Sequence, residues 1–258
     1  MSDLKAHADL LRELHHGDLL VLPNAWDEES AELVAGAGYP VVATSSAAVA
    51  DALGHEDGER APWREMFAAA ARIAAAVSVP VTVDAEAGYG LEPEQFVTQL
   101  LEAGAAGCNL EDTDHRAGGL VDTEAQADRL AAIRAAADAA GVPIVLNARI
   151  DAFLPSSGIP EEDRLTEAIR RGRRYREAGA DCVYPIGVSA RHDLGQLVAG
   201  VPGPVNGNTG PELDLAALAS LGVARVSFGP RFYRAGLAAM RDALAGLRRM
   251  ETPGGSRG

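Results

Sequence analysis

Short apolar runs alternate with longer amphipathic stretches along almost the whole chain. The runs predict strands near 19–22, 40–44, 80–84, 106–111, 143–148, 181–184, 203–206 and 224–228. Between them, stretches rich in Ala, Leu, Glu and Arg predict helices at about 27–37, 62–77, 92–103, 123–140, 161–178, 190–199 and 211–221. An opening helix at 2–16 and a closing one at 230–249 complete eight βα units. The punctuation agrees, because Gly38, Gly104, Gly141, Gly179 and Gly222 stand where helices should stop.

Eight parallel strands in roughly 250 residues is the size of a (β/α)₈ TIM-type barrel. A doubly wound open sheet would be expected to carry Gly-x-Gly-x-x-Gly after its first strand, and the chain has none there. With 258 residues, 47% of them apolar, the chain can bury a substantial core, and one barrel domain over 1–249 accounts for it. The Gly-rich segment 250–258 reads as a disordered tail.

Charge narrows the partners. A formal net of −14 opposes nucleic acid and anionic membrane surfaces, which need a cationic footprint. No apolar run approaches membrane-span length, so a soluble, cytoplasmic protein is expected. Cys108 and Cys182 fall inside predicted strands and read as packed thiols rather than a disulfide framework. The sole lysine, Lys5, precedes the first strand, which argues against Schiff-base chemistry. An anionic substrate must then be met by arginine, backbone N–H groups or a metal.

In a barrel of this kind, chemistry belongs at the C-terminal ends of the strands. Those ends carry Asn24 and Asp27; Thr44, Ser45 and Ser46; Asp84 and Glu86; Glu111 and Asp112; Arg149 and Asp151; Tyr184; Asn206 and Asn208; and Gly229. Acids and hydroxyls on successive strands are hard to explain as packing, since barrel interiors favour branched apolar side chains. Asp27 reads as a helix N-cap and Asp151 as a partner of Arg149 or a loop cap. Asp84 and Glu86 would share one side of an extended chain, and two adjacent acids are usually solvated, share a proton or hold a cation.

Thr44-Ser45-Ser46-Ala47, Leu53-Gly54-His55-Glu56-Asp57, Asp84-Ala85-Glu86-Ala87-Gly88-Tyr89-Gly90, Asn109-Leu110-Glu111-Asp112 and Asn147-Ala148-Arg149-Ile150-Asp151 follow one another in a telling order. The chain resembles the isocitrate lyase/phosphoenolpyruvate mutase superfamily over about 23–234. The resemblance implies a barrel, a homo-oligomer (dimer or tetramer) that exchanges a helix between subunits, and Mg²⁺ with a 2-oxo acid or its enolate. It makes Asp84 the direct Mg²⁺ ligand, with Asp57, Glu86 and Glu111 holding the ion's waters. Ser45, Ser46 and Ala47 would hold the substrate carboxylate, Arg149 would face the substrate, and Asn206 would supply a late-strand amide.

Departures from the pattern lie in the gating loop, where Thr113-Asp114-His115-Arg116-Ala117-Gly118-Gly119 has neither the cysteine and lysine of the isocitrate-cleaving lyases nor the Lys, Asn and Ser of the mutases. Ile186 follows Tyr184-Pro185, where those lyases place a glutamate. His115 is the candidate proton carrier, joining Glu111 and Arg149 in catalysis, and Arg116 the candidate anion contact. The expected activity is Mg²⁺-dependent cleavage or formation of a C–C bond in a small 2-oxo acid or 2-hydroxy diacid, of which decarboxylation of an oxaloacetate-like acid needs the least equipment. The alternatives are P–C bond chemistry on phosphonopyruvate-like compounds and a non-catalytic 2-oxo-acid binder.

Overall fold

A computed structural model describes residues 2–251. Its strands are β1 (Leu20–Leu22 and Asn24–Ala25, either side of Pro23), β2 (Val42–Thr44), β3 (Val81–Asp84), β4 (Gly107–Glu111), β5 (Val145–Ile150), β6 (Cys182–Pro185), β7 (Asn206–Asn208) and β8 (Arg225–Ser227). Pro23 has no N–H to give a ladder, so it interrupts the first strand without redirecting it. Its lower half pairs with β8 and its upper half with β2. From β2 to β6 each strand pairs in parallel with the next, and β7 pairs with β8. A single parallel bridge, Val183 to Val205, joins β6 to the chain entering β7 and closes the ring. This is the expected (β/α)₈ barrel.

The helices are α1 (Ser2–Leu14), α2 (Glu28–Gly36), α3 (Ser46–Ala52), α4 (Trp63–Ala76), α5 (Pro93–Glu102), α6 (Thr123–Ala139), α7 (Arg164–Glu177), α8 (Arg191–Gly200), α9 (Leu215–Ser220) and α10 (Arg231–Glu251). Asp27 caps α2 as expected, in a reciprocal box with Ser30: its Oδ1 accepts from the Ser30 N–H at 2.8 Å. The expected 161–178 helix opens as a 3₁₀ turn, Glu161–Asp163, before α7. The helix α3 has no counterpart in the sequence reading. Its Ser-Ser-Ala-Ala start is the stretch expected to hold the substrate carboxylate, and there Ser45 caps seven helical residues. The seventh strand begins at Asn206 rather than 203, because Pro202 and Pro204 lack N–H donors. The tail expected from 250 starts inside α10, and residues 252–258 lie outside the described part.

The barrel interior departs from the branched apolar filling expected of such folds. Asn147 Nδ2 donates to Asn109 Oδ1 at 2.8 Å and to Asn206 Oδ1 at 3.1 Å. Ser227 Oγ donates to the same Asn206 oxygen at 3.1 Å, and Arg225 Nη2 to Asn109 Oδ1 at 3.1 Å. Both cysteines are buried and unpaired, and burial pushes each thiol up to about 12. Among the described residues, no helix is long and apolar enough to cross a membrane.

Candidate functional site

The upper mouth of the barrel is built by the ends of β3, β4 and β5 and the loops after β2 and β4. A cavity of about 360 Å³ opens there, with Asp57, Glu86, Glu111, His115, Arg149 and Asp151 in its wall. The strand register explains the grouping, because Glu111 sits beside Arg149 across the β4–β5 ladder and Asp84 lies level with Asn109.

Arg149 is gripped from two sides. Its Nε and Nη2 donate to the two oxygens of Asp151 at 2.7 and 3.0 Å, and Nη1 lies 2.5 Å from Glu111 Oε2 as an ion pair not aligned for a hydrogen bond. The expected Arg149–Asp151 bridge therefore exists and also anchors the arginine in the cavity wall. Thr113, two residues beyond β4, donates its hydroxyl to Asp151 Oδ2 at 2.5 Å. His115 Nε2 stands 2.5 Å from Glu111 Oε1. That contact raises the His115 pKa above its ordinary value, against the opposing effect of partial burial.

Asp84 ends β3, but Glu86 does not continue the strand beside it. Its backbone is left-handed, φ 46°, as is that of Tyr89, φ 56°. Glu86 is only 2% exposed. Its Oε1 accepts from the Tyr89 hydroxyl at 3.0 Å and its Oε2 from the backbone N–H of Glu59. Burial foremost, with the like charges of Asp57, Asp84 and Glu111 adding to it, pushes Glu86 up to about 7.

These four acids act on one region without being gathered: among the described residues, no three His, Cys, Asp or Glu side chains stand close enough to ligate an ion together. The donor chemistry, carboxylate oxygens alone, is the kind that suits Mg²⁺, which keeps several waters and takes few carboxylates. Some of the donors expected to hold a substrate carboxylate are engaged within the fold. Ser46 gives both its N–H and its hydroxyl to Asp84 Oδ2, at 3.0 and 2.8 Å, and Ser45 gives its N–H to Ala25. Ala47, the third residue of that turn, lies in α3.

Three other expected residues lie outside the cavity wall, the first of them Asp84, whose carboxylate faces Ser46. Asn206 is fully buried in the amide network and is not in the cavity wall. Arg116 is exposed and reaches over Gly90, away from Arg149. Sequence reasoning missed Glu59 (φ 57°), whose carboxylate accepts from the Tyr89 N–H. A non-glycine residue in the left-handed region leaves no mark in one sequence. It also gave Asp112 no role. That carboxylate accepts from Asp151 N–H at 2.9 Å, Arg171 Nη1 at 3.0 Å and the Tyr175 hydroxyl at 2.8 Å, tying the end of β4 to β5 and α7.

The phosphoenolpyruvate phosphomutase family model matches residues 11–248. The chain belongs to that family. It is thereby a member of the isocitrate lyase/phosphoenolpyruvate mutase superfamily. An uncharacterized Mycobacterium tuberculosis protein is 36% identical over 232 residues, covering 90% of this chain and 86% of that protein. The oxaloacetate decarboxylase of Ectopseudomonas mendocina is 33% identical over 240 residues, covering 86% and 77% respectively. The crystal structure of a phosphonopyruvate hydrolase with oxalate and Mg²⁺ superposes with a TM-score of 0.84 at 27% identity, covering 95% of this chain and 88% of the other. Superfamily members are lyases or mutases, which supports an enzyme here.

Proposed function

We propose that the protein is a Mg²⁺-dependent lyase-type enzyme that breaks or forms a C–C bond in a small 2-oxo acid or 2-hydroxy diacid. The observation that carries this reading is Arg149, a permanent cation fixed between Glu111 and Asp151 in a cavity that Asp57, Glu86 and Asp114 also line. Such a guanidinium orients a substrate carboxylate and opposes charge that builds beside it. When bound, Mg²⁺ would offset negative charge developing on the substrate's 2-oxo and carboxylate oxygens; Asp84 would hold it, with Asp57, Glu86 and Glu111 retaining its waters.

His115 supplies the proton. When a 2-oxo acid is cleaved, the electron pair of the broken C–C bond stays with the 2-oxo fragment, and the proton held at His115 Nε2 satisfies that carbon; the reverse direction removes it. Glu111 keeps the ring protonated until then. Decarboxylation of an oxaloacetate-like acid suits this equipment, since CO₂ leaves without a base, and the likeness to an oxaloacetate decarboxylase supports it. The likeness to phosphonopyruvate hydrolase favours P–C bond chemistry as a second reading. Phe232, Met240, Leu244 and Leu247, exposed along α10, support a homo-oligomer that buries this helix.

Incubation with Mg²⁺ and a panel of 2-oxo, 2-hydroxy and phosphono acids tests the proposal. Pyruvate, glyoxylate or CO₂ release is expected. Phosphate release would replace the reading with P–C chemistry, and tight 2-oxo-acid binding without turnover would leave a silent binder.

A further inference from the structure

Among the described residues, the largest side chain that is wholly buried carries a charge. It is Arg225, the first residue of β8. In the closed ring β8 stands opposite β4, so the 3.1 Å contact from Arg225 Nη2 to Asn109 Oδ1 crosses the barrel axis. A hydrocarbon of similar length would fill that axis without burying a charge, and stability alone does not account for an arginine there. Burial foremost lowers the Arg225 pKa, and Asp84 is the carboxylate among the groups that oppose this.

Asn109 joins the two. Its Oδ1 accepts from Arg225 Nη2 and, at 2.8 Å, from Asn147 Nδ2, while its own Nδ2 donates to Asp84 Oδ1 at 3.4 Å. An amide or a hydroxyl exchanges donor for acceptor by rotating, and Asn109, Asn147, Asn206 and Ser227 all have that freedom. A guanidinium has none, because it only donates. Arg225 therefore fixes the sense of the cluster, with the oxygen of Asn109 toward the axis and its nitrogen toward Asp84. Reversed, Asn109 would set a carbonyl oxygen against a carboxylate. Asp84 has little capacity to spare, since each carboxylate oxygen offers about two acceptor positions. Ser46 fills those on Oδ2 with its N–H and hydroxyl, at 3.0 and 2.8 Å. The position left for a cation is on Oδ1, the oxygen that Asn109 holds.

We propose that Arg225 is a positioning residue for the metal site: acting through Asn109, it holds Asp84 in the orientation that receives Mg²⁺, so that affinity for the ion is set from the barrel axis. The inference rests on reading Asp84 as the Mg²⁺ ligand. Groups that orient a metal ligand without touching the ion govern affinity because they keep the ligand's open lone pair in place before the ion arrives. Here the orienting group is an amide, and the arginine across the barrel decides which of its ends faces the ligand.

The test is Mg²⁺ titrated by calorimetry into the full chain with excess oxalate, on proteins whose urea midpoints are measured alongside. Arg225→Met should weaken Mg²⁺ about tenfold, the low end for a group that orients a metal ligand, because the last contact is long. Arg225→Lys, which keeps a donor and a charge, should recover part of the loss. Asn109→Ala should weaken Mg²⁺ as much. The Arg225→Met, Asn109→Ala double variant should be no more than about twofold worse than Asn109→Ala alone, since the effect runs through that amide. An arginine that only braces the barrel would lower the urea midpoint and leave the Mg²⁺ affinity of the folded protein unchanged, and that result overturns the inference. So do losses that multiply in the double variant. Should Arg225→Met not fold, Asn109→Ala decides, and full Mg²⁺ affinity there overturns the coupling. Asp84→Ala separates the two levels. If it abolishes Mg²⁺ binding while Arg225→Met leaves it intact, only this inference fails; if it keeps full affinity, or wild type takes up no Mg²⁺ with oxalate, the reading of Asp84 as the ligand fails with it.

Discussion

Replacing Glu86 by glutamine should stabilise the metal-free protein at alkaline pH. The carboxylate is 2% exposed and pushed from 4.5 to about 7, chiefly by burial and then by Asp57, Asp84 and Glu111. A carboxyl whose folded pKa is raised favours the protonated form in the folded state, so ionising it weakens the fold. The penalty is absent below pH 4.5, grows as pH rises toward 7, and is complete above it. At about 1.4 kcal/mol per pH unit, the full penalty is about 3 kcal/mol. Glutamine keeps both contacts, since its oxygen accepts the Glu59 N–H and its amide can donate to the Tyr89 hydroxyl oxygen. Urea denaturation in EDTA at pH 5 and pH 8 measures the effect. The variant should match wild type near pH 5 and exceed it by about 2–3 kcal/mol at pH 8, roughly 6 °C in Tm. Added Mg²⁺ should then stabilise wild type more than the variant. Equal stability at pH 8, or a less stable variant, would refute the account of Glu86 as a buried acid awaiting a cation.

Asp84→Ala should abolish Mg²⁺-dependent binding of oxalate, read by calorimetry; unchanged affinity would remove Asp84 from the metal site. Because Glu111 raises the His115 pKa, the proton-donor form should persist above pH 6.5 and decline at higher pH; His115→Gln should delete that limb of the pH–rate profile, and a normal profile would make His115 a bystander. Arg149→Lys keeps a charge but loses the fork on Asp151, so kcat/KM should fall about 100-fold, and a change under threefold would mean that Arg149 only braces the wall. Asp27→Ala should lower stability by about 1 kcal/mol with activity untouched, as expected of a cap remote from the cavity.

The alternation of apolar runs and amphipathic stretches made the barrel legible, because each strand is buried on both faces and each helix follows within a few residues. The acids at strand ends pointed to the mouth for the same reason. What stayed hidden depends on three-dimensional neighbours. The short helix α3 was concealed by a Ser-Ser start that reads equally well as a turn. Glu86 was expected level with Asp84, but its left-handed backbone turns it toward Tyr89 and Glu59. Asn206 looked like a pocket amide at a strand end, and its place one layer down depends on Pro204 delaying the strand. Arg129 sits in the middle of a helical stretch, where nothing local distinguishes a surface arginine from one seated over Gly88.

The amide-lined interior of the barrel bears on how this scaffold can change. Branched hydrocarbons tolerate substitution as long as volume is kept, because their contacts have no direction. The Asn109–Asn147–Asn206 cluster, with Ser227 and Arg225, is directional throughout, and each member's removal strands a partner away from water. Arg225 already has Nε and Nη1 without partners, so this layer has little slack. Variation that retunes the enzyme is therefore channelled outward, into the loops after β2, β3 and β4, while the strands beneath them are held to one arrangement.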